Sequence, residues 1–183
     1  MNAGALGRIP VRRVGFARAC WVRGTSPQTG SGTMVFLRQA TESDLTAIEA
    51  LLRASGLPIA GVAVHLPHFV VADAASGIVG CGGIEFHGRH ALIRSIAVAE
   101  HARRAGVGRM LVARLLAACR ARAVQSVGLL TTTAEDYFVT QGFVRIARES
   151  VPEPLLASSQ FQGVCPGSAV AMLMTCDEKI GRG

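Results

Sequence analysis

The stretch that decides the fold is "AEHARRAGVGRMLV", residues 99–112. It follows the apolar run "IRSIAV" and precedes a segment with apolar residues at helical spacing. A strand, a basic loop, the Gly106-Val107-Gly108 turn and a helix therefore come in that order. Glycine lets other groups approach the backbone, and a helix start offers unpaired N–H groups and a positive dipole end. This order is typical of a pyrophosphate site, with Arg103 and Arg104 supplying positive charge.

Two other phosphate loops are excluded by the same residues. A Walker loop needs Gly-x-x-x-x-Gly-Lys-Ser/Thr, which the sequence lacks. A dinucleotide fingerprint needs a third glycine where Leu111 stands, and an acidic residue about twenty positions further on. A solvated basic turn stays open as the alternative. The strand directly before the loop favours the binding site.

The remaining sequence alternates strand and helix signals. The first half is rich in hairpins and the second half is strand, helix, strand, which predicts a mixed α/β fold. Thr41 and Asp44 have the spacing of a helix cap. The predicted elements are strands at 35–40, 126–130, 143–146 and 168–174, helices at 44–54, 106–122 and 134–141, and three antiparallel runs within 68–100.

The positive charge is concentrated at the N-terminus. The chain has 183 residues and a formal charge of +7, and residues 1–33 contain five arginines and no acid. The other 150 positions hold 14 of the 19 basic residues and all 12 acids, which makes +2. This balance argues against nucleic acid as the partner of the main domain. We expect a basic, disordered extension at 1–33, one domain at 34–176 and a tail at 177–183; a targeting peptide, or Met34 as the true start, stays open for the extension.

Cysteine and histidine usage restricts the site chemistry. The five cysteines are scattered and odd in number, which favours free thiols in a reducing compartment, the cytoplasm. His65 with His68 and His87 with His90 form two close pairs without a cysteine pair at zinc-finger spacing, so surface or loop histidines are favoured over a metal site. No apolar run reaches the roughly 18 residues of a membrane span. We expect no metal and no membrane partner.

"RRAGVG", residues 103–108, resembles the Arg/Gln-x-x-Gly-x-Gly/Ala signature of the GNAT superfamily of acetyl-CoA-dependent N-acetyltransferases. "IAV" at 96–98 is similar to that family's fourth strand, and "YFVTQGF" at 137–143 to its late helix-to-strand junction. The resemblance covers roughly residues 35–175. It implies a twisted, mostly antiparallel sheet whose fourth and fifth strands splay apart, flanked by helices.

The resemblance also implies how acetyl-CoA is bound. The amides at 106–109 would hold the pyrophosphate, and the backbone of 96–98 would pair with the pantetheine arm like an added strand. A backbone N–H near Val98 would stabilise the oxyanion. The implied coenzyme residues are Ile96, Ala97, Val98, Arg103, Arg104, Ala105, Gly106, Val107, Gly108, Arg109 and Phe138.

A narrower resemblance lies nearer the C-terminus. "VPEP" at 151–154 and "FQGVCPGSA" at 161–169, with "LIRSIAV" and "LLTTTAEDYF", look like acetyltransferases encoded in bacterial arsenic-resistance operons. "TTTAEDYFVTQGF" is also similar to N-acetylglutamate-synthase-like members. Both imply a small amino-acid-like amine as acceptor, arsenic-containing or glutamate-like, and leave a homodimer open. Cys165 invites arsenic binding, but a small buried apolar residue is the favoured interpretation.

Glu85 is the predicted general base, acting directly or through one water. Alternation places it on the same side of its strand as Gly83 and His87. An exposed strand acid is an equal alternative. His87 and His90 are substitutes, because the histidine pKa lies near neutrality. Many family members have a glutamate at the position of Ala91, so that common base is missing.

Arg94 is considered for binding the acceptor, and Tyr137 and Phe138 for protonating the leaving group. Arg94 is predicted either to bind a substrate carboxylate or to pair internally. The family's usual tyrosine position holds Phe138, and the chain's single tyrosine is Tyr137. Helix neighbours point about 100° apart, so Tyr137 does not simply take over the acid role. A binding module that holds acetyl-CoA without catalysis is the alternative function, and nucleic-acid binding by the arginine-rich extension is a third.

Overall fold

The computed structural model describes residues 34–176, so the predicted extension and tail lie outside the described residues. The described chain forms one seven-stranded sheet in the order β1-β2-β3-β4-β5-β7-β6. All neighbouring strands are antiparallel except β4 and β5, which are parallel. The strands are β1 Phe36–Gln39, β2 Phe69–Ala74, β3 Gly77–His87, β4 His90–Val98, β5 Ser126–Thr131, β6 Val144–Ile146 and β7 Val170–Thr175.

Five α-helices lie between these strands in the described chain. They are α1 Leu45–Ala54, α2 Val62–His65, α3 Val107–Ala121, α4 Glu135–Thr140 and α5 Glu153–Leu156. The predicted cap is present, because Thr41 and Asp44 form a capping box before α1. The predicted apolar stripe of α3 is buried against the sheet, as amphipathic periodicity requires. The long predicted elements are therefore confirmed. The sequence did not predict the short helices α2 and α5 or the irregular turn at Gln160–Val164.

Hydrophobic side chains pack on both faces of the sheet. The larger cluster lies under α3 and includes Ile84, Ile93, Leu111 and Leu115. Two further clusters lie on the other face. One packs α1 and α2 against Phe69, and the other packs α5 against β4 and β7. Because strand residues alternate between faces, Glu85 lies on the face opposite its neighbour Ile84. That face carries α1, α2 and α5.

The sheet opens between β4 and β5. These strands pair only at 90–92 with 126–128, so the rest of β4 separates from β5. A bulge bends β4 in this part, where Ser95 and Ile96 oppose the single Gly82 of β3. Ser95 has a φ of 57°, an uncommon conformation for a residue with a side chain. The predicted splay of the fourth and fifth strands is confirmed.

Candidate active site

A cleft occupies the opening between the separated strands. Its volume is about 380 Å³, within the range of small-molecule sites. One wall is β4 from Leu92 to Val98 with Arg103, and the other is formed by 129–134 with Tyr137 and Phe138. The lining also includes 55–58, Gln160, Cys165 and Pro166. Cys165 is near Arg94, which precedes Val98 by four residues on β4, whereas Val98 lies beside Gly108, so Cys165 and its partner Gln160 are at the end away from α3. Of the predicted site residues, Arg94, Ile96, Ala97, Val98, Arg103, Tyr137 and Phe138 line it.

The first turn of α3 provides backbone donors. Gly106 caps the helix with a φ of 81°, a left-handed conformation that favours glycine. The first intrahelical bond runs from the Met110 N–H to the Gly106 oxygen at 3.0 Å. The preceding amides, including those of Gly108 and Arg109, therefore have no acceptor within the helix. The Val107 side chain is buried in the core, so only its backbone is available to a ligand.

Both aromatic residues of α4 line the cleft, and Phe138 is also part of the buried core. Phe138 is 6% exposed and packs edge to face on Phe143, with ring centroids 5.7 Å apart. The Tyr137 hydroxyl is buried and has no hydrogen-bond partner within 34–176. It lies 3.5 Å from the position that a Cβ would take on Gly108. Burial raises the pKa of Tyr137, so its hydroxyl is protonated at neutral pH. The single tyrosine thus reaches the start of α3, although it is shifted by one position along α4.

Glu85 is not the exposed strand acid of the alternative interpretation. The residue is 1% exposed, and its carboxylate pairs with the Arg94 guanidinium. Burial alone raises the pKa of Glu85, but a hydrogen bond from Ser158 and the charge of Arg94 outweigh it, so the pKa is lowered. His65 and His87 approach the carboxylate to 3.6 and 3.4 Å. Glu85 therefore accepts contacts from several elements, and it is absent from the lining of the cleft.

Arg94 pairs internally, as one of its two interpretations predicted. Besides Glu85, it donates to the Ala60 carbonyl and to the Ser95 hydroxyl. The left-handed turn at Gly61 makes room for it, since a Cβ there would approach Nη1 to 2.8 Å. Arg94 is also part of the cleft wall, so its role toward a substrate stays a prediction.

His68, His90 and Cys165 each contact other protein groups. His68 packs edge to face on Phe86, and His90 hydrogen-bonds the Ser126 hydroxyl at 2.8 Å. Cys165 is half-buried and donates a hydrogen bond to the Gln160 side chain at 3.0 Å. No group of three metal-binding side chains occurs within the described chain. Nor does any helix described here have the length and apolarity to cross a membrane.

Sequence reasoning missed the residues of the loop after α5. Ser158 and Gln160 are both buried, at 2% and 7% exposure, although neither belongs to a recognisable motif. A polar residue inside a short loop gives no periodic signal, so only the packing of that loop against the sheet reveals them.

Known proteins share this architecture. Residues 65–145 match the model of the acetyltransferase (GNAT) domain. The N-acetylglutamate synthase from Neisseria gonorrhoeae complexed with coenzyme A and N-acetyl-glutamate superposes with a TM-score of 0.68, covering 80% of this chain and 36% of that chain at 20% identity. The fold is that of the GNAT acetyltransferases. A Mycobacterium tuberculosis protein in complex with CoA superposes over 78% of this chain and 99% of its own, with a TM-score of 0.63 and 24% identity.

A curated sequence relative is also similar. An uncharacterized N-acetyltransferase of Chlorobaculum tepidum is 35% identical over 92 residues, which are 50% of this chain. The chain thus spans 59% of the length of that relative. The similarity supports the GNAT fold and leaves the acceptor unnamed.

The residues present fit a coenzyme A molecule in this cleft. The Tyr137 hydroxyl in the cleft lies beside Gly108 and has no hydrogen-bond partner within 34–176. A polar group of a ligand would supply that hydrogen bond. The unpaired amides at the start of α3 suit a pyrophosphate. Arg103 lies at the same end and donates to the Val98 carbonyl at 3.1 Å.

Proposed function

We propose that the chain is an acetyl-CoA-dependent N-acetyltransferase acting on a small amine of amino-acid type. The observation that carries the proposal is the position of the cleft. It opens where β4 and β5 separate, and two of its lining residues, Val98 and Tyr137, lie within 4 Å of the position of a Cβ on Gly108 in the first turn of α3. A thioester carried on a pantetheine arm fits such a cleft, with its phosphates at the helix start and its reactive end near the bulge of β4.

The chain's residues would hold the coenzyme mainly by backbone. The amides of 106–109 bind the pyrophosphate, Arg103, Arg104 and Arg109 add positive charge, and the edge of 96–98 pairs with the pantetheine amides. The predicted contacts of Ala105 and Phe138 belong to the same region. A backbone N–H near Val98 would stabilise the oxyanion that forms at the thioester carbon.

The transfer needs a neutral amine and a departing thiolate. The amine nitrogen forms a bond to the acetyl carbon, and the carbon–sulfur bond breaks with its electron pair moving to sulfur. The proton that the nitrogen releases passes through water to that sulfur. The predicted catalytic residue Tyr137 has a protonated, unpartnered hydroxyl, but this hydroxyl lies beside Gly108 at the phosphate end, where it would donate to the coenzyme. A thiol pKa near 8.5 makes the leaving group undemanding, so the gain from this proton is modest.

Glu85 was predicted to be the base, and its geometry favours a positioning role. A carboxylate with a lowered pKa is a weak proton acceptor at neutral pH, and Glu85 lies behind Arg94. It fixes Arg94 in the cleft wall at the end away from α3, which we call the acceptor end, and it accepts a hydrogen bond from Ser158. The amine would then react from its neutral fraction, so kcat/KM rises with pH until the pKa of the free amine is reached.

The narrower resemblances define the acceptors to test first. Glutamate-like amino acids and an arsenic-containing amino acid are the proposed candidates, in a reducing compartment such as the cytoplasm. The purified chain is mixed with acetyl-CoA and a broad amine panel, and free thiol is followed. Coenzyme binding without transfer to any amine would make the chain a binding module. Failure of both binding and turnover would exclude the proposal.

A further inference from the structure

The acceptor end of the cleft contains a second buried polar atom without a partner. Gln160 is 7% exposed and lines the cleft on the irregular turn after α5. The Cys165 thiol donates a hydrogen bond to the Gln160 Oε1 at 3.0 Å. The oxygen of the Gln160 amide therefore has a partner, and the nitrogen does not. Within 34–176, this Nε2 and the Tyr137 hydroxyl are the buried side-chain polar atoms that have no hydrogen-bond partner.

A buried N–H group without an acceptor is costly. It has lost its hydrogen bonds to water and gained none from the protein, and native chains keep few such groups. A methionine of similar volume would fill the space without that penalty. The coenzyme accounts for the Tyr137 hydroxyl at one end of the cleft. Gln160 lies at the other end, so a different ligand atom has to account for it.

The charge around Gln160 indicates the chemistry of that ligand. Arg94 lines the same part of the cleft, and the charges of Arg94 and Arg148 act on the Cys165 thiol more strongly than the opposing charge of Glu85. Arginine has five N–H donors, and Arg94 spends them on Glu85, Ala60 and Ser95, which leaves donors over. The Gln160 nitrogen and the Arg94 guanidinium only donate. No aspartate or glutamate lines the cleft among the described residues. A group with acceptor oxygens and negative charge fits this end.

We propose that Gln160 is a specificity residue that donates to a carboxylate oxygen of the acceptor, next to Arg94. The acceptor is then an amine that also bears a carboxylate, and Cys165 is the positioning residue that keeps the amide nitrogen toward it. This inference rests on the proposed acetyl transfer, because it names the substrate class of the same cleft. It does not depend on Glu85 or Tyr137.

The test compares acceptors that differ only in the carboxylate. L-amino acids are paired with the amines that lack it, such as L-alanine with ethylamine, and kcat/KM is measured for the full chain and for Gln160→Met and Gln160→Glu. We expect the wild-type preference for the carboxylate member to fall roughly tenfold in Gln160→Met and further in Gln160→Glu, which brings a like charge to the site. Gln162→Met is the matched control, because Gln162 is exposed and outside the cleft lining. Its preference stays at the wild-type value.

A binding measurement separates this inference from the proposed reaction. With coenzyme A present, a saturating L-amino acid raises the melting temperature of the wild-type chain, and Gln160→Met loses most of that shift. That result without any thiol release would support the carboxylate site while the proposed transfer fails. Cys165→Ala is expected to lose part of the shift. The inference is overturned if Gln160→Met is intrinsically more stable and keeps the full preference for the carboxylate-bearing acceptor and the full shift in melting temperature. It is also overturned if the wild-type chain does not distinguish the paired acceptors.

Discussion

The Glu85 carboxylate and the Arg94 guanidinium form an ion pair between neighbouring strands, and the two residues are 1% and 4% exposed. Arg94 also donates to the Ala60 carbonyl beside α2, and Glu85 accepts from Ser158 after α5. The pair therefore links the sheet to both segments that border the acceptor end of the cleft.

Replacing Arg94 by methionine should destabilise the fold strongly. The variant leaves the Glu85 carboxylate buried without its cation, which typically costs about 3–5 kcal/mol. Urea unfolding followed by circular dichroism measures the change. Arg145→Met is the control, because Arg145 is exposed and its pair with Glu135 spans 3.5 Å. Such a surface pair contributes about 0–1 kcal/mol.

The difference in unfolding free energy between the wild type and Arg94→Met should depend on pH in a defined direction. The folded-state pKa of Glu85 is lowered, so its contribution is present above the unfolded pKa near 4.5 and is lost as pH falls through the folded value. The gap in unfolding free energy between wild type and Arg94→Met should therefore narrow between pH 7 and pH values well below 4.5. An equal gap at both ends would contradict a buried, ionised Glu85.

Glu85→Gln distinguishes a positioning residue from a base. If Glu85 holds Arg94 and Ser158 in place, KM for the amine rises by about tenfold, or ~1.4 kcal/mol, while kcat changes little. Loss of a general base would instead lower kcat by about 10²–10⁴ with KM retained. Steady-state kinetics at several pH values, on protein confirmed to be folded, decides between these outcomes.

Tyr137→Phe removes the hydroxyl without changing the ring. We expect KM for acetyl-CoA to rise by about threefold to tenfold with kcat nearly unchanged, because the hydroxyl lies beside Gly108 at the phosphate end of the cleft. Steady-state kinetics with varied acetyl-CoA measures both parameters. A fall in kcat with KM retained would instead place the hydroxyl at the thioester sulfur.

Gly108→Asp tests the proposed pyrophosphate site at the start of α3, because it should affect stability and coenzyme binding in opposite directions. A carboxylate in the first turn of α3 favours the helix dipole by about 0.3–1 kcal/mol, so stability should hold or rise. The same charge repels a pyrophosphate, so KM for acetyl-CoA should increase by about tenfold or more. Ala113→Asp adds an equal charge at an exposed site in the middle of α3 and should leave KM unchanged.

Gly61→Ala tests the space reserved for Arg94. Both Gly61 and Gly56 have left-handed φ values, 79° and 67°, so alanine adds backbone strain at each. Only at Gly61 does the new Cβ meet the guanidinium, and at Gly56 nothing lies within 4 Å. Gly56→Ala should cost about 1 kcal/mol. Gly61→Ala should cost clearly more in urea unfolding, and equal costs would argue against the close packing of Arg94.

The fold was predictable from sequence where periodic signals are long. The strand before Ala99, the glycines at 106 and 108 and the apolar stripe of α3 predicted the helix start within a residue or so. Three apolar runs separated by turns predicted the meander of β2, β3 and β4. The short helices α2 and α5 escaped prediction, because a single turn has no measurable period.

The sequence by itself determined the element order, the phosphate-binding turn and the resemblance to GNAT acetyltransferases, because these depend on local patterns. The tertiary structure decided which polar groups lose water and which partners they meet. It buried Glu85 against Arg94, directed Tyr137 instead of Phe138 to the start of α3, and brought Gln160 to the acceptor end of the cleft. Residues from 60 to 165 meet there across the sheet, and such long-range contacts leave no trace in the spacing of the residues that make them.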